Sequence, residues 1–211
     1  MYRENRFYEN MNVALFEGAG KYEMPYVEPV YELNAENWIG FNFAKQCKME
    51  DRTKTGVHFW IDDYQFTRVW NDLNRSTEQL KSFGTVLGPD FSMYCDFPKV
   101  SQLWNCYRNH WLCAYWQVNG IQVIPSVLWG DRDSFEYCFD GLPQNSIVSV
   151  SSVGTQKSTF SQELFRDGYR EMMDRLHPSQ ILFYGKVPDF CEGNIIEMPT
   201  TIQQIRKRNG R

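Results

Sequence analysis

Three aspartates each follow a short apolar run of the kind that makes a buried strand. Asp62 follows GVHFWI, Asp90 follows GTVLG with Pro89 between, and Asp131 follows IPSVL, with Trp129 and Gly130 between. In parallel α/β folds ligands bind at the C-terminal ends of the strands, so side chains placed just there share one mouth. Carboxylates that converge can do general acid and base work when their environments separate their pKa values. Alternatively they can hold Mg²⁺, which takes oxygen ligands and keeps several waters. The competing explanation is helix capping, since an Asp carboxylate accepts the free backbone N–H groups of a first turn. It fits Asp62 and Asp63 before one helical stretch and Asp131 and Asp133 before another. It fits Asp90 least, because no helix begins there.

A second set consists of Ser151, Ser152, Gly154 and Thr155 after SIVSV, and Tyr184, Gly185 and Lys186 after QILF. Phosphate often sits on the loops after the late strands of such folds. Small residues let the backbone approach an anion, hydroxyls add donors, and Lys186 adds charge. The GxxxxGK[ST] string is absent, so this is no P-loop, and two ordinary strand-to-helix turns would read the same way. Trp129 ends a strand beside Gly130 and Asp131, where an indole can stack on a sugar or base. Arg108 lies off the main apolar face of its helix and can reach a buried carboxylate. GxSxG and HExxH are both missing.

The elements that position these residues follow from periodicity. Apolar runs at 38–44, 56–62, 84–92, 121–129, 146–154, 180–185 and 194–198 predict strands. Helical spacing predicts helices over 63–83, 98–119 and 158–178, with a short one near 133–140. For 98–119 the predicted apolar face is Val100, Leu103, Trp104, Tyr107, Trp111, Leu112 and Tyr115, with Trp104 and Trp111 buried against the sheet. Strands joined through helices must usually run parallel. The fold class is therefore α/β with a mainly parallel sheet. It is either (β/α)-barrel-like, with an incomplete barrel allowed, or an open doubly wound sheet. The chain reads as one domain over 1–211, with an irregular N-terminal arm over 1–35 that wraps it and a polar, basic tail over 200–211.

With 42% hydrophobic and 16% aromatic residues among 211, a packed core is expected. A net charge of −4 argues against electrostatic coating of nucleic acid. No run approaches the roughly 20 apolar residues of a membrane span, and the polar start, MYRENRFYENMN, has no signal core. A cytoplasmic location is expected. The six cysteines include no CxxC pair and no zinc spacing with His58, His110 or His177, and read as free, mostly buried thiols.

The segments HFWIDDYQFTRVW, GPDFSMYCDFP, QLWNCYRNHWLCAYWQ, VIPSVLW, FDGLP, SVSSVG and FYG, between His58 and Gly185, resemble a family of bacterial and phage proteins known as a domain of unknown function. The resemblance implies a prokaryotic, phage or mobile-element origin, and so the cytoplasm of a host cell. It implies no particular activity, fold or catalytic residue. The residues themselves suggest a hydrolase or transferase for a small phosphate-bearing ligand, a nucleotide or a sugar phosphate, with Mg²⁺ as an optional cofactor. Two alternatives stay open. One is a non-catalytic binder that sequesters a signalling nucleotide or inhibits a host protein; the other is a nucleic-acid-processing accessory, which the basic tail alone suggests.

Overall fold

The computed structural model describes residues 3–4, 14–200 and 203. Seven strands carry the architecture: β1 (Asn37–Gly40), β2 (Thr55–His58), β3 (Thr85–Leu87), β4 (Val123–Ile124), β5 (Ile147–Ser151), β6 (Gln180–Tyr184) and β7 (Ile195–Met198). Strands β1 to β4 form one parallel ladder and β5 to β7 another. A parallel bridge from Ser126 to Ser149 joins the two, with Ser149 N–H donating to Pro125 O (2.9 Å) and Val127 N–H to Ser149 O (2.8 Å). Strand order thus follows chain order without reversal. A doubly wound sheet must reverse at a switch point, so that alternative is set aside. No ladder joins β1 to β7 among the described residues, and the sheet does not close into a barrel.

The sheet is strongly curved. His58 at the end of β2 and Tyr184 at the end of β6 have ring centroids 4.9 Å apart, although strands four places apart in a flat sheet would be separated by roughly 19 Å. Side-chain alternation then gives a convex and a concave face. Val57, Phe59, Val86, Val148, Val150 and Phe183 belong to the outer cluster that the helices cover. Leu87, Ile124, Ile147, Leu182 and Tyr184 belong to the inner one, together with Trp60 beyond β2. Val30 and Leu33 of the N-terminal arm fill that concave side. The arm is stitched on by two amides: Gln117 accepts from Glu28 N–H and donates to Glu28 O, and Gln122 donates to Glu32 O. It also contains a short antiparallel pair, Gly18–Ala19 with Met24–Pro25.

The helices are α1 (Arg68–Asn71), α2 (Leu73–Leu80), α3 (Lys99–Val118) and α4 (Thr159–Leu176). Stretch 63–83 is therefore not one helix. It begins with a 3-10 turn at Asp63–Gln65 and breaks at Asp72, whose φ of −131° and ψ of 67° are not helical. The strand predicted over 38–44 stops at Gly40, and Phe41–Gln46 turns into a 3-10 helix; the predicted loop after it holds another, Met49–Lys54. The short helix near 133–140 is a 3-10 turn at Arg132–Glu136. Helix α4 starts with a capping box built by Ser158 and Ser161.

Helix α3 has the predicted limits and a different buried face. Val100 is 72% exposed and Trp104 38%, while Gln102, Asn105 and Asn109 are buried. All six cysteines are free, and three of them, Cys106, Cys113 and Cys138, are buried. Among the described residues no helix is long and apolar enough to cross a membrane. The basic tail lies outside the described residues apart from Thr200 and Gln203.

Gly168 lets α4 pass close over the Trp129 indole. A Cβ built there would lie 2.2 Å from Cε2 of Trp129. Helix propensity alone would favour Ala over Gly by about 1 kcal/mol, but forcing a methyl into a packed contact costs ~1–3 kcal/mol. Gly168→Ala is expected to lower stability by about 1–2 kcal/mol in urea titration. A gain in stability would show that Trp129 yields without cost.

Candidate functional site

Asp90 stands at the C-terminal end of β3 and is only partly accessible to solvent. Its Oδ1 is buried and has no hydrogen-bond partner. Burial pushes its carboxyl well above the ordinary carboxylate range, and the charges of Asp63 and, more weakly, Asp62 add to this, while its own backbone N–H opposes it. The three aspartates therefore form one electrostatic unit made from two strand ends.

Each of the other two has a distinct role in it. Asp63 is not a helix cap. Its carboxylate accepts from Ser92 N–H (3.1 Å) and from the Ser92 hydroxyl (2.8 Å), tying the end of β2 to the loop after β3. Asp62 is exposed and accepts from Gln65 Nε2 at 3.2 Å. Gln65 in turn accepts from Asn42 Nδ2 at 2.7 Å, which brings in the residue just after β1.

The loop after β3 is held from the other side by α3. Asn105 donates to Ser92 O (2.6 Å), and Asn109 both accepts from Phe91 N–H (2.9 Å) and donates to Phe91 O (3.2 Å). Gln102 donates to Phe97 O (3.0 Å). These amides explain the polar buried face of α3: an irregular loop exposes backbone groups that must be paired when buried. Arg108 donates to Asn105 Oδ1 through Nε (3.1 Å) and a terminal nitrogen (2.7 Å), and its guanidinium lies 3.5 Å over the Phe91 ring. Burial lowers the pKa of Arg108, and the charge of Asp63 opposes that. Arg108 thus reaches the carboxylates as an electrostatic neighbour of Asp63 and a brace for the loop.

On the concave side, His58 and Trp60 face Tyr184, with ring centroids at 4.9 and 6.3 Å. His58 is 1% exposed and Trp60 8%. Burial lowers His58 to a pKa of about 4, so its imidazole is neutral at pH 7. His58 Nδ1, Trp60 Nε1 and Asn42 Oδ1 are buried without a partner. Each such atom, like the unpartnered Asp90 oxygen, costs ~1–3 kcal/mol of stability.

Asp131 has another environment. It caps the 3-10 turn, accepting from Asp133 N–H (3.1 Å) and Ser134 N–H (3.3 Å), and it pairs with Lys99, which also reaches Asp133 at 2.8 Å. Burial works to raise its pKa, but the Lys99 ammonium and the hydrogen bonds outweigh it and hold the carboxyl low. Among the described residues no group of three or more His, Cys, Asp or Glu is placed to hold a metal ion. A Mg²⁺ site built from Asp62, Asp90 and Asp131 is therefore not formed, because a lysine already neutralises the third member.

The serine and glycine set divides. Ser152 donates to Lys186 O (2.6 Å), Thr155 donates to Ser152 O (2.8 Å), and Ser151 Oγ accepts from Val153 N–H (3.1 Å), so these groups hold their own turns. Gly154 and Gly185 have φ of 85° and 101°, which L side chains rarely adopt. Lys186 lines a cavity of about 620 Å³ with Gln156, Gln162, Arg166, Pro188, Asp189 and Phe190. Trp129 packs against Phe139 and Phe165 and over Gly168. A further cavity, about 500 Å³, lies between the arm at 28–32 and residues 117–123.

The sequence reading missed His58, Trp60 and Asn42 as site residues, and placed Asp63 as a cap. A signal for the first two existed. His58 and Trp60 alternate with the apolar Val57 and Phe59, so a strand must put them on the opposite face.

A family model described as Domain of unknown function (DUF4417) matches residues 16–203, and the chain belongs to that family. It is 38% identical over 195 residues to the Gene 1 protein of Mycobacterium phage L5, covering 91% of this chain and 85% of that protein. It is 35% identical over 197 residues to the Gene 1 protein of Mycobacterium phage D29, covering 92% and 72% respectively. No solved structure gives a significant match. The matched stretch contains every residue of the network from Asn42 to Arg108 and both late loops.

Proposed function

We propose that the chain is a phage-type hydrolase or group transferase for a small phosphate-bearing ligand, working in the host cytoplasm. Its site is the C-terminal mouth of a curved, unclosed (β/α)-barrel-like sheet. The observation that carries this reading is the Asp90 carboxyl: buried, raised, with an unpartnered oxygen, beside a second carboxylate in solvent. Carboxyl groups whose environments differ in this way divide into acid and base. Asp90 is the acid that gives a proton to the leaving group, and Asp62 is the base that takes one from the incoming nucleophile. Asp63 holds the loop in register. Phosphate is repelled by these carboxylates, so it is assigned to the cavity at the loops after β5 and β6, which Arg166 and Lys186 line with Gln156, Gln162 and Asp189.

A panel of nucleotides and sugar phosphates followed by phosphorus NMR and chromatography tests this. Asp90→Asn is expected to keep binding and to lower turnover by about 10²–10⁴. Equal turnover in the variant and the wild type would remove Asp90 from the chemistry. The second reading is the non-catalytic binder. One feature favours it: the cationic cavity is lined by none of Asp62, Asp90 or Asp131, so a nucleotide can be held with no carboxylate at its reacting bond. Binding of the panel without turnover in the wild type selects that reading.

A further inference from the structure

Three segments meet at the cavity of about 620 Å³. Gln156 comes from the loop after β5, Gln162 and Arg166 from the first half of α4, and Lys186, Asp189 and Phe190 from the loop after β6. These walls are braced on one another. Gln162 donates through Nε2 to Gln156 O (3.1 Å). Cys191 N–H closes a turn onto Pro188 O (2.9 Å), with Asp189 and Phe190 as its central residues. Just beyond it, the Tyr169 hydroxyl of α4 donates to Glu192 O (2.7 Å). The Phe190 ring is half-buried. It packs against Phe165 at 6.2 Å, and the Arg166 guanidinium lies over it, 4.8 Å from the ring centre. Among the described residues the Arg166, Lys186 and Asp189 side chains make no hydrogen bond or ion pair.

A cavity of this size is in the range of small-molecule sites, ~300–1,000 Å³, and a bare phosphate would fill little of it. Lys186 and Arg166 suit a phosphate. Asp189 does not, because an ionised carboxylate only accepts hydrogen bonds and repels an anion. Its place beside two cations calls for a ligand that also carries donors. The guanidinium laid over Phe190 makes a flat cationic surface, and every nucleobase has a π-face that stacks on such a surface. The edge of the base then decides. Guanine presents two adjacent donors, N1–H and N2–H, which match the two carboxylate oxygens as a paired contact. Adenine presents the bare acceptor N1 in the same place, and a pyrimidine presents at most one ring N–H. The hydroxyls of a sugar phosphate also donate, but they leave the Arg166–Phe190 surface uncovered.

We propose that this cavity binds a guanine nucleotide, with its phosphate on Lys186 and the guanidinium edge of Arg166, its base stacked at the Arg166–Phe190 pair, and its N1–H and N2–H donated to Asp189. This deepens the phosphate-ligand reading above and rests on it. Arg166 serves both groups, because a planar guanidinium stacks through its face and donates through its edge. Asp189 is the specificity-determining residue. It opposes phosphate alone and favours the one base that offers it two donors.

The test is calorimetry on the full chain with guanosine 5′-monophosphate, adenosine 5′-monophosphate, ribose 5-phosphate and inorganic phosphate as probes. The guanine nucleotide is expected to bind at least about tenfold more tightly than the adenine one, the worth of a charge-assisted contact. Both nucleotides are expected to bind more tightly than ribose 5-phosphate, through stacking. Asp189→Asn is expected to remove the preference for guanine and to leave ribose 5-phosphate binding unweakened. Asp189 is exposed, so the fold of this variant is expected to be intact, with an unchanged thermal midpoint. Lys186→Met is expected to weaken all four probes. Equal affinity for the two nucleotides, a guanine preference that survives in Asp189→Asn, or ribose 5-phosphate bound as tightly as either nucleotide would overturn the guanine assignment and leave the phosphate-ligand reading standing. Failure of every phosphate-bearing probe to bind would overturn that reading itself.

Discussion

Acidification from pH 7 to pH 4 is expected to destabilise the folded chain strongly, and Asp90→Asn is expected to make the loss steeper. Burial lowers both His58 and His110 from 6.5 to about 4; at His110 the carbonyls of Cys138 and Asp140 partly oppose it. The unfolded chain therefore binds two protons in this window that the folded chain refuses. Stability from this source is complete above pH 6.5 and is lost as pH falls toward 4, by about 3 kcal/mol for each histidine. Asp90 acts in the other direction. Its folded pKa is raised, so between about pH 4 and that raised value the folded state keeps a proton the unfolded chain has lost. Its contribution is fully present below pH 4 and fades as pH rises through its folded value. Asp90 thus offsets part of the histidine loss on acidification, and Asn removes the offset. Urea titrations at pH 7, 6, 5 and 4 on both proteins check this. A wild-type stability that stays flat down to pH 4.5, or equal slopes in the two proteins, would count against these buried groups.

Much of the frame was legible because it depends on local patterns. Strand–helix alternation forces parallel pairing, and the strands from Asn37 to Met198 are parallel in both ladders. Helical spacing gave α4, whose first turn is capped by Ser158 accepting from Ser161 N–H. Placing candidate residues at strand ends found Asp62 and Asp90 together, because parallel neighbours end on the same side. What failed depends on partners distant in sequence. Lys99 is 32 residues from Asp131, and nothing local announces that pair. Asp72 breaks a helix with no Gly or Pro to signal it. The curvature that brings His58 to Tyr184 is a property of the whole sheet. One failure had a readable cause: Gln102, Asn105 and Asn109 recur at helical spacing, an amide stripe able to bind loop backbone, yet an apolar rule assigns such a stripe to solvent.

Two of the three tryptophans of α3, Trp104 and Trp111, measure the cost of that error. Trp104 and Trp111 are seven residues apart and share one helical face, so periodicity treats them alike. The structure does not. Trp104 is 38% exposed and Trp111 1%. Trp70 packs edge-on against both, at 5.5 Å from Trp104 and 5.2 Å from Trp111. Beyond that contact Trp104 meets Tyr107, whereas Trp111 also stacks on Tyr115 at 5.0 Å, meets Phe16 at 5.7 Å, and donates its Nε1–H to Ala14 O at 2.9 Å. Trp111→Ala is expected to cost ~3–5 kcal/mol through lost transfer energy and the cavity left behind. The Ala14 carbonyl then loses its donor as well, which places the loss toward the upper end of that range. Against a total stability of ~5–15 kcal/mol, such a variant folds marginally. Trp104→Ala opens its void to solvent and is expected to cost only about 1 kcal/mol. Urea midpoints at constant m-value separate the two. Equal losses would mean that Trp104 is buried in solution, and that the amide face of α3 does not decide how the helix sits.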